Sequence, residues 1–188
     1  MRSDITYFDS PGPENTEQVL NLARRRAEEL GIRNILVATS SGRTGALASK
    51  IFEGYDLIVV SHHTGFKSPG AQELQEDFRK QILANNARIL TTSHALSGVE
   101  RAIRKQLGSI LPLEIMAHTL RTFGQGMKVC VEITIMAADA GLIPVDNDVI
   151  AIGGTGKGAD TATVMSPTHS NTFFDLTVRE IIAKPRTR

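Results

Sequence analysis

The fold class is decided by the stretch Ile35-Leu36-Val37-Ala38-Thr39-Ser40-Ser41-Gly42-Arg43-Thr44-Gly45, in which an apolar run stops abruptly at hydroxyl and glycine residues. The apolar run predicts a buried strand, the hydroxyls and glycine predict a tight turn, and the spacing that follows predicts a helix. Such a turn directs backbone N–H groups outward at the positive end of the helix dipole, and Arg43 adds a planar cationic donor. We therefore predict a phosphate-binding turn over residues 39–45.

The composition of this turn narrows the class of phosphorylated ligand. It lacks the closing Lys-Ser/Thr of the triphosphate-binding P-loop and the three-glycine dinucleotide pattern, so a mononucleotide or a sugar phosphate fits better. The alternative is an ordinary capped helix start with an exposed arginine, but four hydroxyls within six residues exceed what a cap needs. The candidate ligand-binding residues in the turn are Thr39, Ser40, Ser41, Gly42, Arg43 and Thr44.

Strands and helices alternate along the rest of the chain. Apolar strands are predicted at 34–38, 56–60, 88–92, 148–152 and 161–165, with helical patterns between them and a longer helix at 127–140. Apolar runs without polar alternation are typical of a parallel sheet that is covered on both faces. The sequence predicts one α/β domain over residues 1–188, with three α/β/α layers, a mainly parallel sheet and short terminal extensions, residues 173–182 adding an edge strand.

Four loops are predicted to leave this sheet at one edge, where ligands of such sheets bind. They are residues 39–45, 61–68, 92–98 and 153–160, and each is rich in small, hydroxyl or glycine residues. Beyond the first turn, the candidate site residues are His62, Thr64, Gly65 and Phe66, then His94, and finally Gly153, Gly154, Thr155, Gly156, Lys157 and Asp160. We expect these loops to converge on one cleft.

Composition limits the classes of partner. The formal net charge is +1, so no overall field favours nucleic acid or an anionic membrane, and no apolar run approaches the roughly 20 residues that span a bilayer. The polar start of the chain is unlike a signal peptide, and Cys130 has no second cysteine, so we expect a cytoplasmic protein. Adjacent His62 and His63 lack the spacing of helical zinc ligands, and we expect no metal site.

Two stretches resemble the C-terminal α/β domain of pyruvate kinase, and more specifically the small stand-alone archaeal proteins that are similar to it. One is residues 34–62, with strand, Ser41-Gly42-Arg43-Thr44, helix and strand; the other is residues 129–167, with Ala137-Ala138-Asp139-Ala140-Gly141-Leu142-Ile143, strand, glycine turn and strand. The first dozen residues and the tail after Pro167 lie outside this pattern. The resemblance implies five core strands of which the last is antiparallel.

The resemblance also implies a ligand. In pyruvate kinase this domain is regulatory and its Ser/Thr-Gly turn holds a phosphate of a sugar bisphosphate, whereas the stand-alone family implies flavin mononucleotide (FMN). This chain lacks the catalytic barrel and the tryptophan that pyruvate kinases often carry in the last glycine loop, so we expect no pyruvate kinase activity. The leading hypothesis is a soluble FMN-binding protein, and hydride transfer at the flavin is the chemistry to expect if it is an enzyme.

Two alternatives stay open: a non-catalytic regulatory module that binds a phosphorylated metabolite such as a sugar phosphate, and a phosphosugar enzyme that uses His62 or His63 as acid or base. Several residues also keep two roles. Phe66 is expected to cover a flat ring while an imidazole bonds the ring edge; Lys157 neutralises a charge or is solvated; Asp160 accepts a ligand hydroxyl or bonds its own turn. Glu132 on the apolar helix faces solvent, a subunit interface of a homo-oligomer, or the cleft, and His118 has no assigned role.

Overall fold

The computed structural model describes residues 3–187 and joins its strands into one seven-stranded sheet. The strands are β1 (Thr6–Phe8), β2 (Asn34–Thr39), β3 (Asp56–Ser61), β4 (Arg88–Thr91), β5 (Val149–Gly153), β6 (Thr161–Ser166) and β7 (Thr177–Pro185). The α-helices are α1 (Thr16–Leu30), α2 (Arg43–Ile51), α3 (Glu76–Ala84), α4 (Glu100–Leu107), α5 (Pro112–Leu120) and α6 (Gln125–Asp139). Short 3-10 helices occupy Pro13–Asn15, Arg121–Phe123 and Ser170–Asp175.

The strand order is β1-β7-β6-β5-β2-β3-β4, and β6 is the strand that runs against both of its neighbours. The pairs β5–β2, β2–β3, β3–β4 and β1–β7 are parallel. The prediction of a mainly parallel sheet with an antiparallel last core strand is therefore confirmed.

Helices cover both faces of the sheet. One core cluster joins α1, α2 and α3 to strand residues such as Val37, Val59 and Ile152. The other joins α5 and α6 to the alternate strand residues, such as Leu36, Ile58 and Ala151. Because successive strand side chains point to opposite faces, wholly apolar strands supply both cores, which explains the lack of polar alternation in the sequence.

The structure differs from the sequence expectation at the C-terminal tail. The tail forms β7 between β6 and β1, so the edge strand on this side is β1, and residues 173–175 belong to a 3-10 helix. Pro69 lies in a turn, and α3 begins at Glu76. Asn15 does not cap α1; its side-chain amide donates to the carbonyl of Ser10 at 2.8 Å instead.

Candidate functional site

The four predicted loops follow the carboxyl ends of four neighbouring strands. In the order β5-β2-β3-β4 they are residues 154–160, 40–42, 62–75 and 92–99. Thr39 pairs with Ser61 across β2 and β3, and Ser61 pairs with Thr91 across β3 and β4, so the three strands end at one level. The turn between β2 and α2 therefore lies at the carboxyl edge of the sheet, between two longer loops. We call residues 154–160 the glycine loop and residues 62–75 the histidine loop.

The turn after β2 is shaped by Gly42, whose φ is +101°. The amide of Gly42 donates to the Thr39 hydroxyl at 3.1 Å, and the carbonyl of Ser41 accepts the amide of Gln75 at 3.0 Å. A Cβ at Gly42 would lie 2.6 Å from atoms of Leu74 and Phe78, so glycine is required both by the backbone angle and by the space. The segment that leads into α3 therefore holds the turn in place, through the hydrogen bond from Gln75 and through packing against Gly42.

The helix that follows this turn starts without a side-chain cap. The amides of Arg43, Thr44 and Gly45 are the first of α2, where an α-helix provides no acceptor for them. The Arg43 side chain is exposed, Thr44 is buried, and Ser40 and Ser41 are half-buried. The exposed Arg43 cation and the N-terminus of α2 together are suited to bind an anion.

The structure brings four rings together on the loops that follow β3 and β4, the next two strands of the sheet. The rings of His62 and Phe66 stack with centroids 4.1 Å apart, and the His94 ring lies 5.4 Å from His62 and 5.2 Å from Phe66. His63 lies 5.3 Å from His94. We call these four residues the aromatic cluster.

The aromatic cluster lies where two chain connections diverge. The connection after β3 leads to α3 on one face of the sheet, and the connection after β4 leads to α5 and α6 on the other. The two connections therefore leave the sheet toward opposite faces, at the carboxyl ends of the strands, where α/β sheets bind ligands; we call the region between them the crevice.

Glu73 holds His62 in place, and sequence reasoning did not identify it. Its carboxylate lies 2.7 Å from His62 Nδ1 and 2.6 Å from Lys67 Nζ. Burial acts to raise the pKa of Glu73, but the hydrogen bonds from Lys67 and His62 outweigh burial and lower the pKa below its ordinary value. The ionised Glu73 fixes the His62 ring with Nδ1 as donor and leaves Nε2 for a ligand. Glu73 lies in a long loop whose sequence has no periodic pattern, so no local signal marked it.

Glu132 reaches the crevice from α6. Its side chain is 6% exposed, accepts the Leu96 amide at 3.1 Å and pairs with buried Lys128. Burial lowers the pKa of Lys128 although the Glu132 charge opposes the change, and the nearby charges of Arg121 and Arg101 lower it further. The Glu132 carboxylate, which the Lys128 charge balances, therefore ties α6 to the loop that carries His94. The signal for it was present in the sequence, as two charged residues four apart on an otherwise apolar helix.

His94 is held neutral. Burial lowers the pKa of His94 to about 4, although the Glu132 carboxylate 3.9 Å from Nδ1 acts in the opposite direction. An imidazole in the unfolded chain has a pKa of about 6.5, so the folded protein binds fewer protons than the unfolded chain between these two pH values.

We expect acid sensitivity that depends on His94. As the pH falls from about 6.5 to about 4, protonation favours the unfolded chain and this residue alone lowers the free energy of unfolding by no more than about 3 kcal/mol. Urea denaturation at pH 7 and at about pH 4.5 measures the loss, which His94→Gln reduces. His118→Gln, at an exposed position on α5, serves as the control and retains the loss. Equal losses in the two variants would show that His94 is not held neutral.

The glycine loop after β5 is folded around Asp160. This carboxylate is fully buried and accepts the Thr155 amide at 3.1 Å and the Thr161 hydroxyl at 2.8 Å. Asp160 thus bonds its own turn, one of the two roles open in the sequence. Gly153 is buried and Gly154 half-buried, whereas Gly156 and Lys157 are exposed. Thr64 and Gly65 lie in the histidine loop, with Thr64 exposed and Gly65 half-buried.

A pocket of about 210 Å³ lies elsewhere, between α1 and the strands β1 and β7. The charged groups in its lining include Arg26 and Glu180, which bond to each other at 2.7 Å. The carboxyl edge differs from this pocket in that it combines a helix N-terminus, an exposed cation and aromatic rings, which suit a phosphate and a flat ring.

None of the helices described between residues 3 and 187 is long and apolar enough to cross a membrane. In a comparison with known families, the family model described as pyruvate kinase, alpha/beta domain, matches residues 17–165. This range runs from the start of α1 to β6 and includes all four loops, whereas β1 and β7 lie outside it. The chain therefore belongs to the pyruvate kinase alpha/beta domain family.

Proposed function

We propose that this protein binds a phosphorylated ligand at the carboxyl edge of its sheet, and that the ligand is FMN. The observation that carries the proposal is the uncapped N-terminus of α2, with exposed Arg43, at the end of the strand next to the one whose loop carries His62 and Phe66 of the aromatic cluster. A phosphate matches the first feature and a flat ring matches the second. FMN combines both groups, and the stand-alone proteins that the sequence resembles imply it.

The described residues fit the phosphate end of FMN. The amides of Arg43, Thr44 and Gly45 would bind its oxygens, and the Arg43 guanidinium would supply charge. The positive φ of Gly42 opens the turn, where a larger residue would overlap Leu74 and Phe78.

The residues also fit the ring end. His62, oriented by Glu73, would offer Nε2 to the ring edge, while neutral His94 adds apolar surface in the crevice. Exposed Gly156 leaves the backbone of the glycine loop open to close approach. A bound flavin supplies hydride-transfer chemistry, and the part of this chain is to position it and to exclude water.

The purified protein and four added compounds test the proposal. We expect the protein to absorb at about 450 nm as isolated, or after FMN is added, and FMN to raise its melting temperature. Riboflavin, which has the ring without the phosphate, is expected to bind at least tenfold more weakly, and inorganic phosphate to give a small shift. If FMN has no effect and fructose 1,6-bisphosphate stabilises the protein, the chain is instead a regulatory module for a sugar phosphate.

Replacing Arg43 by alanine is expected to weaken FMN binding by about 1 to 3 kcal/mol, roughly 5- to 150-fold, because a charge-assisted contact to the phosphate is lost. The exposed side chain makes no contribution to the core, so the melting temperature without ligand is expected to stay the same. Fluorescence titration of FMN measures the affinity.

Lys50→Ala is the matched control for Arg43→Ala, since Lys50 is an exposed cation at the other end of the same helix. It should bind FMN like the unaltered protein. Unchanged affinity in Arg43→Ala, or an equal loss in both variants, would remove Arg43 from the binding site.

A further inference from the structure

Helix α4 is exposed to an unusual degree. None of its eight described residues is buried, although it has apolar residues along one side. Ile103 is 37% exposed, and Leu107 and the preceding Val99 are 69% and 77% exposed. Isolated helices of this length are not stable in water and depend on the packing of an apolar face. In the single chain, nothing covers the apolar side of α4.

The apolar side of α4 is continuous in sequence with further exposed residues. Val99, Ile103 and Leu107 are spaced four apart and therefore share one side of the helix. Ile110 in the following loop is 74% exposed, and Ile115 on α5 is 57% exposed. We call these five residues the α4 surface.

The polar contacts of α4 are already made within the chain. Glu100 accepts the Leu113 amide at 3.0 Å, and Arg104 bonds to Glu114 at 3.1 Å. These contacts hold α4 beside α5 and leave the α4 surface uncovered.

We propose that the α4 surface packs against the same surface of a second copy of this chain. Its five residues are between 37% and 77% exposed, which amounts to roughly 500 Å² of apolar area per copy, the size of the largest patch on a typical monomer, and such patches often have a function. Two copies would bury roughly 1,000 Å² of apolar area, and the polar rim of an ordinary interface brings the total to the size of a specific dimer.

The charges around the α4 surface favour a second copy over a lipid surface. An amphipathic helix that binds anionic lipid needs an excess of free Lys and Arg on its polar face. Here Arg104 is paired with Glu114 and Arg101 lies over the Phe66 ring at 4.4 Å, so Lys105 is the one other basic residue of the helix, and the whole chain carries a net charge of +1. A nearly neutral apolar surface is suited to pairing with itself.

Such pairing has a consequence for the carboxyl edge of the sheet. Because α4 carries Arg101 onto the aromatic cluster, a partner that fixes α4 also fixes this arginine over Phe66. The dimer would therefore order one wall of the crevice.

Sedimentation velocity without any ligand tests the proposal at concentrations up to about 100 μM. We expect the unaltered protein to sediment with twice its chain mass of 20.4 kDa, and Leu107→Asp to sediment as a monomer with a dimer dissociation constant at least 100-fold higher. Leu107 is exposed in the single chain, so circular dichroism of the variant should show an unchanged fold. Phe174→Asp, at a 90% exposed apolar position outside the α4 surface, is the control and should stay dimeric.

Two results would overturn this inference: a monomeric unaltered protein over the whole range, or a Leu107→Asp variant that dimerises as tightly as the unaltered protein. Flotation with phosphatidylglycerol vesicles separates the lipid alternative. Vesicle binding by a monomeric protein that Leu107→Asp abolishes would assign the α4 surface to a membrane and contradict the dimer. Because no ligand enters the experiment, its failure leaves the proposed FMN site unaffected.

Discussion

Replacing Glu132 by alanine is expected to lower the free energy of unfolding by about 3–5 kcal/mol, because the substitution leaves Lys128 as a buried charge without its carboxylate. The two side chains are 6% and 7% exposed, so water does not replace the lost partner. The Leu96 amide also loses its acceptor, which loosens the loop that carries His94. Urea denaturation at neutral pH measures the change.

Glu100→Ala is the control for this substitution. Glu100 also accepts one backbone amide, that of Leu113, but it lies on exposed α4 and does not neutralise a buried cation. We expect a loss of about 1 kcal/mol or less.

The double substitution Glu132→Leu with Lys128→Met distinguishes the effect of an unpaired buried charge on stability from the effect of lost side-chain packing. It removes both charges together and is expected to restore most of the lost stability, since apolar groups of similar volume replace a buried pair at little cost. A loss below about 1 kcal/mol in Glu132→Ala would show that Lys128 does not depend on Glu132 to compensate its buried charge.

Gly42→Ala is expected to lower the free energy of unfolding by about 2–5 kcal/mol, from backbone strain and steric overlap together. The φ of +101° is unfavourable for alanine, and the new Cβ would lie 2.6 Å from Leu74 and Phe78. Since relief of the overlap must move either the turn or the segment before α3, FMN affinity is expected to fall as well. Thermal and urea denaturation measure the first effect and fluorescence titration the second.

Gly31→Ala isolates the backbone term. Gly31 ends α1 with a φ of +68°, and no heavy atom lies within 4 Å of the position of its Cβ. Alanine there is expected to cost about 1 kcal/mol. Equal losses in the two variants would mean that Leu74 and Phe78 do not constrain the turn.

Local sequence patterns were enough for the frame of the fold. The apolar runs of β2, β3 and β5 predicted buried parallel strands, and the hydroxyl-glycine turn predicted that a helix follows it, although α2 begins at Arg43, inside the predicted turn of residues 39–45. These features depend on neighbouring residues alone, which is why they can be inferred without the tertiary structure. The antiparallel direction of β6 came from the family resemblance, because the chain itself encodes only a glycine-rich connection there.

The features that sequence patterns missed depend on distant contacts. The sequence predicted the tail as an edge strand, whereas β7 lies between β6 and β1. Its neighbour β1 comes from the other end of the chain, so no local pattern indicates the pairing. The segment between β3 and α3 reaches the β2–α2 turn, where the Gln75 amide donates to the Ser41 carbonyl, and the local sequence gives no sign of this contact. Glu73 meets His62 over a separation of eleven residues that shows no periodicity. Glu132 was recognised as unusual, yet its direction could be assigned only once α6 was placed against the loop after β4.

The most direct test of the central claim is a crystal structure of the protein with FMN. We expect the phosphate to lie within hydrogen-bond distance of the Arg43 and Thr44 amides and the flavin ring to lie beside the aromatic cluster. A phosphate held elsewhere, such as in the pocket lined by Arg26 and Glu180, or no bound FMN at saturating concentration, would contradict it.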